Sequence, residues 1–264
     1  MRLATFLPPG ATAPVAGEIR GGEAIAFSDD PAATVLDRLT TGDRSPATGG
    51  AHPLDRVRLL APVPRPRAIF GIGLNYAAHA AEQGRDQPDT PIVFMKLPGS
   101  SVAPNEPVDP PPAARRRLDY EGELVVVMGA GNTVGGYAIA NDLSARDLQG
   151  REPQWTRAKG FDAACPWGPW ITTADEAGDP HDLRLRTWVN GEPRQDARTS
   201  DLIFTVPRLV DHLTRTCTLE PGDLILTGTP NGVGVFMDPK RFLEAGDTIR
   251  IEIERLGAIE HAIA

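Results

Sequence analysis

Apolar and polar residues alternate along a handful of stretches in this chain, and those stretches read as strands. From Thr248 to Glu254, Ile249, Ile251 and Ile253 alternate with Arg250, Glu252 and Glu254, the period-two pattern of a half-exposed strand. Residues 118–128 begin with alternation and become continuously apolar through Val125, Val126 and Val127, where the strand enters a core. Residues 187–189 lead into Asn190-Gly191, a hairpin turn in which both positions accept positive φ. Residues 92–95 and 224–227 are shorter apolar runs, the second following a Pro221-Gly222 turn. Helical periodicity is scarcer. Residues 207–216 place Leu209, Val210, Leu213 and Cys217 on one face, with Thr205 or Val206 near the cap. A second helix is expected over 75–84, from Asn75 as N-cap to Gly84 as C′ residue. Strands outnumber helices and do not alternate strictly with them. The pattern therefore predicts a β-rich, mixed α+β fold and not a doubly wound sheet.

Composition sharpens this picture. Among 264 residues, 27 Gly and 26 Pro are spread evenly, which implies many turns between short strands. A polar, Gly-rich stretch at 41–52 and a Pro-rich one at 62–66 bracket a linker. A small N-terminal module over 1–60 and a main domain over 61–264 are expected from them. The net charge of −8 argues against nucleic acid as a partner, and an acidic protein handling an anionic substrate needs a cation or a local basic cluster. Cys165 and Cys217 form neither a disulfide framework nor a CxxC pair, and both fit a reducing compartment. The apolar run near Met1 is shorter than a signal-peptide core, and no 18-residue apolar stretch occurs. A soluble cytoplasmic protein without a membrane partner is the expectation. Dinucleotide, P-loop, serine-hydrolase and zinc-protease motifs are absent, since Tyr76 stands where GxGxxG needs its third glycine.

The segment Asp119-Tyr120-Glu121-Gly122-Glu123 holds the chemistry. On a strand, Glu121 and Glu123 point to one face while Gly122 points to the other and leaves room there. Two such carboxylates either lie on a solvated face, the commoner outcome on spacing alone, or share a cation that removes their repulsion. The apolar run at 125–127 carries the strand into a core, which makes a charged face costly. Asp142 follows the apolar strand-like segment 137–140 and adds a third oxygen donor at a strand end. Taken alone it is a turn or cap residue. Three carboxylates on one divalent ion leave open positions for water and a chelating substrate, the pattern expected of Mg²⁺ or Mn²⁺.

The segments GIGLNYAAHAAE (71–82), PIVFMKLPGS (91–100), DYEGELVVVMG (119–129), GYAIANDLSARDLQ (136–149), RAKGFDAACPWGPW (157–170), VNGEPRQ (189–195) and LEPGDLILTGTPNGVG (219–234) together resemble the fumarylacetoacetate hydrolase family, in particular its small prokaryotic-type members. They occur in the family's order and span about three quarters of the chain. The resemblance implies a mixed β-sandwich roll, usually a homodimer, with Glu121, Glu123 and Asp142 as metal ligands. It matches Lys159 to a lysine that contacts the substrate or its developing negative charge, with Arg146 and Gln149 nearby. His79 and Glu82 match a pair that orients or deprotonates water, and Thr229 matches a contact to the substrate carboxylate. One departure lies at 122–125, where many members carry a β-branched residue before the second glutamate and a glycine after Leu124. It touches no ligand and bears on pocket shape and specificity.

The residues themselves agree with these roles. His79 and Glu82 are three apart on the expected helix and share a face, so the carboxylate orients the imidazole as a general base; a surface pair is the plain alternative. Lys159 can pair with a substrate carboxylate or an enolate oxygen, or else be solvated. The polar segment 83–91 can form a lid. The expectation is a metal-dependent enzyme acting on a small 2-oxo acid, first of all by hydrolysing a C–C bond of an acylpyruvate-type 1,3-diketo acid through an enolate. Isomerisation or tautomerisation, decarboxylation, and non-catalytic metabolite binding are the alternatives.

Overall fold

The computed structural model describes residues 1–264. Its centre is the strand Gly122–Met128, every residue of which is buried. Leu124, Val126 and Met128 enter one apolar core, and Val125 and Val127 enter a second on the opposite face. A strand between two cores cannot alternate with polar residues, which explains the unbroken apolar run. It pairs antiparallel with Val134–Asn141 on one side and with Leu224–Leu226 on the other. The sheet continues from Leu224–Leu226 through the parallel strand Ile69–Gly73 to the edge strand Ile92–Lys96. In the other direction Val134–Asn141 pairs with Cys165–Thr173, which pairs with Arg2–Leu7.

The segment expected as an N-terminal module contributes to this same sheet. Leu3 lies opposite Ile171, and Val15–Arg20, Glu23–Ala26 and Ala51–Pro53 extend the sheet outward in order. A second, antiparallel sheet of four strands contains Arg184–Val189, Glu192–Arg198, Thr248–Ile253 and Gly257–Ala262. The hairpin at Asn190-Gly191 joins the first two, with both residues at positive φ. Ile249, Ile251 and Ile253 turn into the core that also holds Leu124 and Val126, while Arg250 is exposed. The architecture is the β-rich, mixed fold that the pattern predicts. No helix is long and apolar enough to cross a membrane.

Two helix boundaries differ from expectation. The helix near 75 runs Ala77–Glu82 with Tyr76 as N-cap and no side-chain cap bond. Asn75 is committed elsewhere: its amide donates to the carbonyls of Phe204 and Thr227 and its Oδ1 accepts from Phe204 N–H, so it ties three loops together. The amphipathic helix spans Val206–Thr214 with Thr205 as N-cap, and Leu209 and Leu213 are buried.

Candidate active site

Gly122 and Asn141 are register partners, so Glu121 and Asp142 sit side by side at the ends of their strands. Asp142 N–H donates to the Glu121 carbonyl at 2.8 Å, and Asn141 Oδ1 accepts from Glu121 N–H at 2.9 Å. Glu123 lies one residue into the strand and accepts from Gly228 N–H at 2.7 Å. The second sheet presses against the opposite face at Gly122, where a Cβ would stand 2.5 Å from Thr187 Oγ1. Glycine is required there by that approach. The sequence expectation of room opposite the glutamate pair is met, and the room is filled by Thr187 and Gln195.

Glu121, Glu123 and Asp142 are all buried, and one carboxylate oxygen from each lies within 4.8 Å of the other two. Burial drives the Glu123 carboxyl well above its ordinary range, and the neighbouring Asp142 and Glu121 carboxylates push it further. For Glu121 burial acts in the same direction, but Lys159 and Arg146 outweigh it and hold the group at about 2. An all-oxygen donor set under such mutual repulsion fits a hard divalent cation, which relieves it.

Cations surround the trio. Lys159 is buried and donates to Glu121 Oε2 and Asp142 Oδ2, each at 2.7 Å. Burial would lower its pKa, but the paired Asp142 and Glu121 raise it, so the amine is held as ammonium. Lys96 is fully buried, donating to Asp142 Oδ1 at 2.5 Å and to the Lys159 carbonyl. Arg146 bonds Asp119 Oδ2 at 2.8 Å, Glu121 Oε1 at 2.7 Å and Gln149 Oε1 at 3.0 Å. Its Nη2 is buried and has no partner in the protein.

The helix Ala77–Glu82 delivers His79 and Glu82 together, with Nδ1 at 3.0 Å from Glu82 Oε2. Since the carboxylate accepts, Nδ1 carries the proton and Nε2 accepts from Gln83 Nε2 at 2.9 Å. The other Glu82 oxygen accepts from Gly232 N–H at 3.0 Å. Asp119 holds the next part of that loop, accepting from Gly234 N–H at 2.8 Å and Val235 N–H at 3.0 Å. The two carboxylates thus fix the segment that places Phe236 edge-on against His79, with ring centroids 5.8 Å apart.

These groups surround a cavity of about 310 Å³, lined by His79, Glu121, Arg146, Gln149, Lys159 and Thr229 among others. The structure therefore assembles the site residues named from sequence around one pocket and its buried floor, where Glu123 and Asp142 complete the trio. Thr229 donates its hydroxyl to the Gly122 carbonyl at 3.0 Å and accepts from Gln195 Nε2 at 2.8 Å. Sequence reasoning missed Lys96, Asp119, Gln83 and Arg85, and the aromatic wall residues Phe94 and Phe236, while Trp155 is the pocket-wall tryptophan that its type and the chain's charge suggested. The one local signal was Lys96, a lysine in the inward phase of an otherwise apolar strand.

The fumarylacetoacetate (FAA) hydrolase C-terminal family model matches residues 68–264. The chain belongs to the fumarylacetoacetate hydrolase family. Among curated relatives of this family, the chain is 41% identical over 225 residues to an oxaloacetate tautomerase of Bacillus subtilis (strain 168), covering 80% of this chain and 75% of that protein. The 2-hydroxyhepta-2,4-diene-1,7-dioate isomerase of Mycobacterium marinum has a solved structure with TM-score 0.81 and 38% identity, covering 100% of this chain and 98% of that one. The maleylpyruvate hydrolase of Sphingobium sp. SYK-6, solved with manganese (II) ion and pyruvate, gives TM-score 0.79 and 30% identity over 100% of this chain and 99% of that one. Family members are thus enzymes whose reactions range over tautomerisation, isomerisation and hydrolysis.

Proposed function

We propose that this protein is a divalent-metal-dependent tautomerase of a small 2-oxo acid, with Mg²⁺ or Mn²⁺ held by Glu121, Glu123 and Asp142. The observation that carries the reading is the convergence of these buried carboxylates within 4.8 Å beside a pocket of about 310 Å³. That volume lies at the small end for ligand pockets and suits a small acid. The chain's likeness to oxaloacetate tautomerases supports tautomerisation as its reaction.

A bound cation supplies Lewis acidity to the 2-oxo group and lowers the energy of the enolate. Arg146 lines the pocket and offers its positive charge to an oxygen of the substrate while it stays bonded to Asp119 and Glu121. Lys159, held as ammonium, offers positive charge to the oxygen on which negative charge develops. His79 is the proton acceptor, its ring fixed through Nδ1 by Glu82 so that Nε2 carries the lone pair. For this, the substrate takes the place of Gln83 at Nε2. Phe94, Trp155 and Phe236 exclude water from the enolate.

C–C hydrolysis is the second reading, supported by the His79–Glu82 pair and by likeness to the maleylpyruvate hydrolase. A cytoplasmic homodimer belongs to the same proposal, and sedimentation at twice the chain mass is its test. The reaction is tested by following oxaloacetate and an acylpyruvate by proton NMR with Mg²⁺, with Mn²⁺ and with chelator. Metal-dependent acceleration of keto–enol exchange with carbon skeletons intact supports tautomerisation. Metal-dependent cleavage products without accelerated exchange would replace it with hydrolysis.

A further inference from the structure

The pocket lining carries three strongly basic side chains, and two of them are committed. Arg146 is bound to Asp119, Glu121 and Gln149, and Lys159 to Glu121 and Asp142. Arg85 lines the same pocket, yet its guanidinium has no carboxylate or carbonyl partner. Apart from these three, the wall carries no fixed positive charge: Phe94, Trp155 and Phe236 are aromatic, and Gln83, Gln149 and Thr229 are polar but neutral.

The position of Arg85 follows from how the helix Ala77–Glu82 ends. Gln83 is the C-cap and Gly84 adopts φ +63°. Gly84 N–H donates to the Ala81 carbonyl at 2.9 Å and Arg85 N–H to the Ala80 carbonyl at 3.0 Å, the paired bonds of a Schellman reversal. The reversal folds the chain back directly after the His79–Glu82 pair. Gln83 thereby meets His79, and Arg85 reaches the pocket with its side chain free.

We propose that Arg85 is the subsite for a second carboxylate of the substrate, making the enzyme selective for short 2-oxo dicarboxylates over 2-oxo monocarboxylates. The inference rests on the reading above that a 2-oxo acid occupies this pocket. A substrate whose first carboxylate and oxo group are held at the buried end must place any second carboxylate elsewhere. Against an aromatic wall an unpaired carboxylate is strongly disfavoured, whereas an unengaged guanidinium binds it through two parallel N–H···O bonds.

Oxaloacetate and pyruvate differ by one carboxylate and test this directly. Their dissociation constants are measured on the Mn²⁺-loaded protein, unsubstituted and as Arg85→Gln, by stopped-flow quenching of tryptophan fluorescence, Trp155 lying in the pocket wall. Arg85 is exposed and makes no core contact, so the variant folds. The expected result is that Arg85→Gln weakens oxaloacetate by about ten- to a hundredfold and pyruvate by less than about twofold. Arg85→Lys, which keeps the charge without the paired donors, falls between. Equal weakening of both ligands, or oxaloacetate affinity unchanged in Arg85→Gln, overturns the proposal while leaving the 2-oxo acid reading intact. Unsubstituted protein that binds neither ligand defeats that underlying reading, and this inference with it.

Discussion

Asp119 shows how much a single buried carboxylate organises here. It accepts from the backbone N–H groups of Tyr120, Gly234 and Val235 and from Arg146 Nε, with every partner within 3.0 Å. Removing it takes away one of the two carboxylates that pair with the buried Arg146 and leaves two loop N–H groups without their acceptor. Asp119→Ala is therefore expected to destabilise the protein by about 3–5 kcal/mol, visible as a lower denaturant midpoint. A change below about 1 kcal/mol would show that the loop and Arg146 find other partners. His79 is different, because its partners Glu82, Gln83 and Phe236 lie on its own helix end and one loop. His79→Ala should cost less stability than Asp119→Ala and slow keto–enol exchange by about 10²- to 10⁴-fold, as loss of a general base does. Unchanged exchange would take the proton-acceptor role from His79.

At the scale of elements, the site depends on how closely two sheets approach at Gly122. The strand Gly122–Met128 is buried on both faces, and Thr187 of the second sheet occupies the space where a side chain at 122 would go. Gly122→Ala is expected to cost about 1–3 kcal/mol by overpacking, and to disturb the trio because Glu121 and Glu123 flank it. Thr187→Ala removes the Oγ1 that the new Cβ would strike. The double variant should then recover part of the loss, with a coupling above about 0.5 kcal/mol in a double-mutant cycle. Strict additivity would mean that the two sheets do not meet there.

At the scale of the molecule, the second sheet reaches the segment of the carboxylate trio through His261. Its Nε2 meets Asn141 Nδ2 at 3.0 Å, and Asn141 Oδ1 in turn holds Glu121 N–H. Because the amide donates, His261 must be neutral, and burial lowers its pKa from 6.5 to about 4. Between these values the unfolded chain binds the proton and the folded chain does not. Stability from this group is thus fully present above pH 6.5 and lost as pH falls through 4. The shift corresponds to about 3 kcal/mol. His261→Gln, which keeps an acceptor but does not titrate, should flatten the pH dependence of unfolding over that window. An unaltered acid limb would assign it to other groups.

This chain of contacts also explains what was legible in the sequence. The strands, the Asn190-Gly191 hairpin, the amphipathic helix and the carboxylate trio have local signatures: alternation, turn chemistry, and two acids spaced by two on a strand. Asp119 and His261 have none, and Lys96 has only its inward phase in an apolar strand, because their meaning lies in partners 115, 120 and 46 residues away. Asn75 carries a helix-cap signature, but contacts to Phe204 and Thr227 outweigh the local preference. The segment before residue 60 looks separable from its composition, while its strands complete the edge of the main sheet, a pairing that no periodicity encodes.

Three carboxylates binding one hard cation are the centre of the proposed chemistry, and Mn²⁺ titration followed by electron paramagnetic resonance measures this without reference to turnover. The unsubstituted protein is predicted to bind one Mn²⁺ per chain, displaced competitively by Mg²⁺. Asp142→Ala and Glu121→Ala should each lose affinity by more than the ~10–100-fold that accompanies loss of an outer partner. Binding in those variants indistinguishable from the unsubstituted protein, or no bound Mn²⁺ in the unsubstituted protein at millimolar metal, would contradict the assignment and remove the centre of the proposed chemistry.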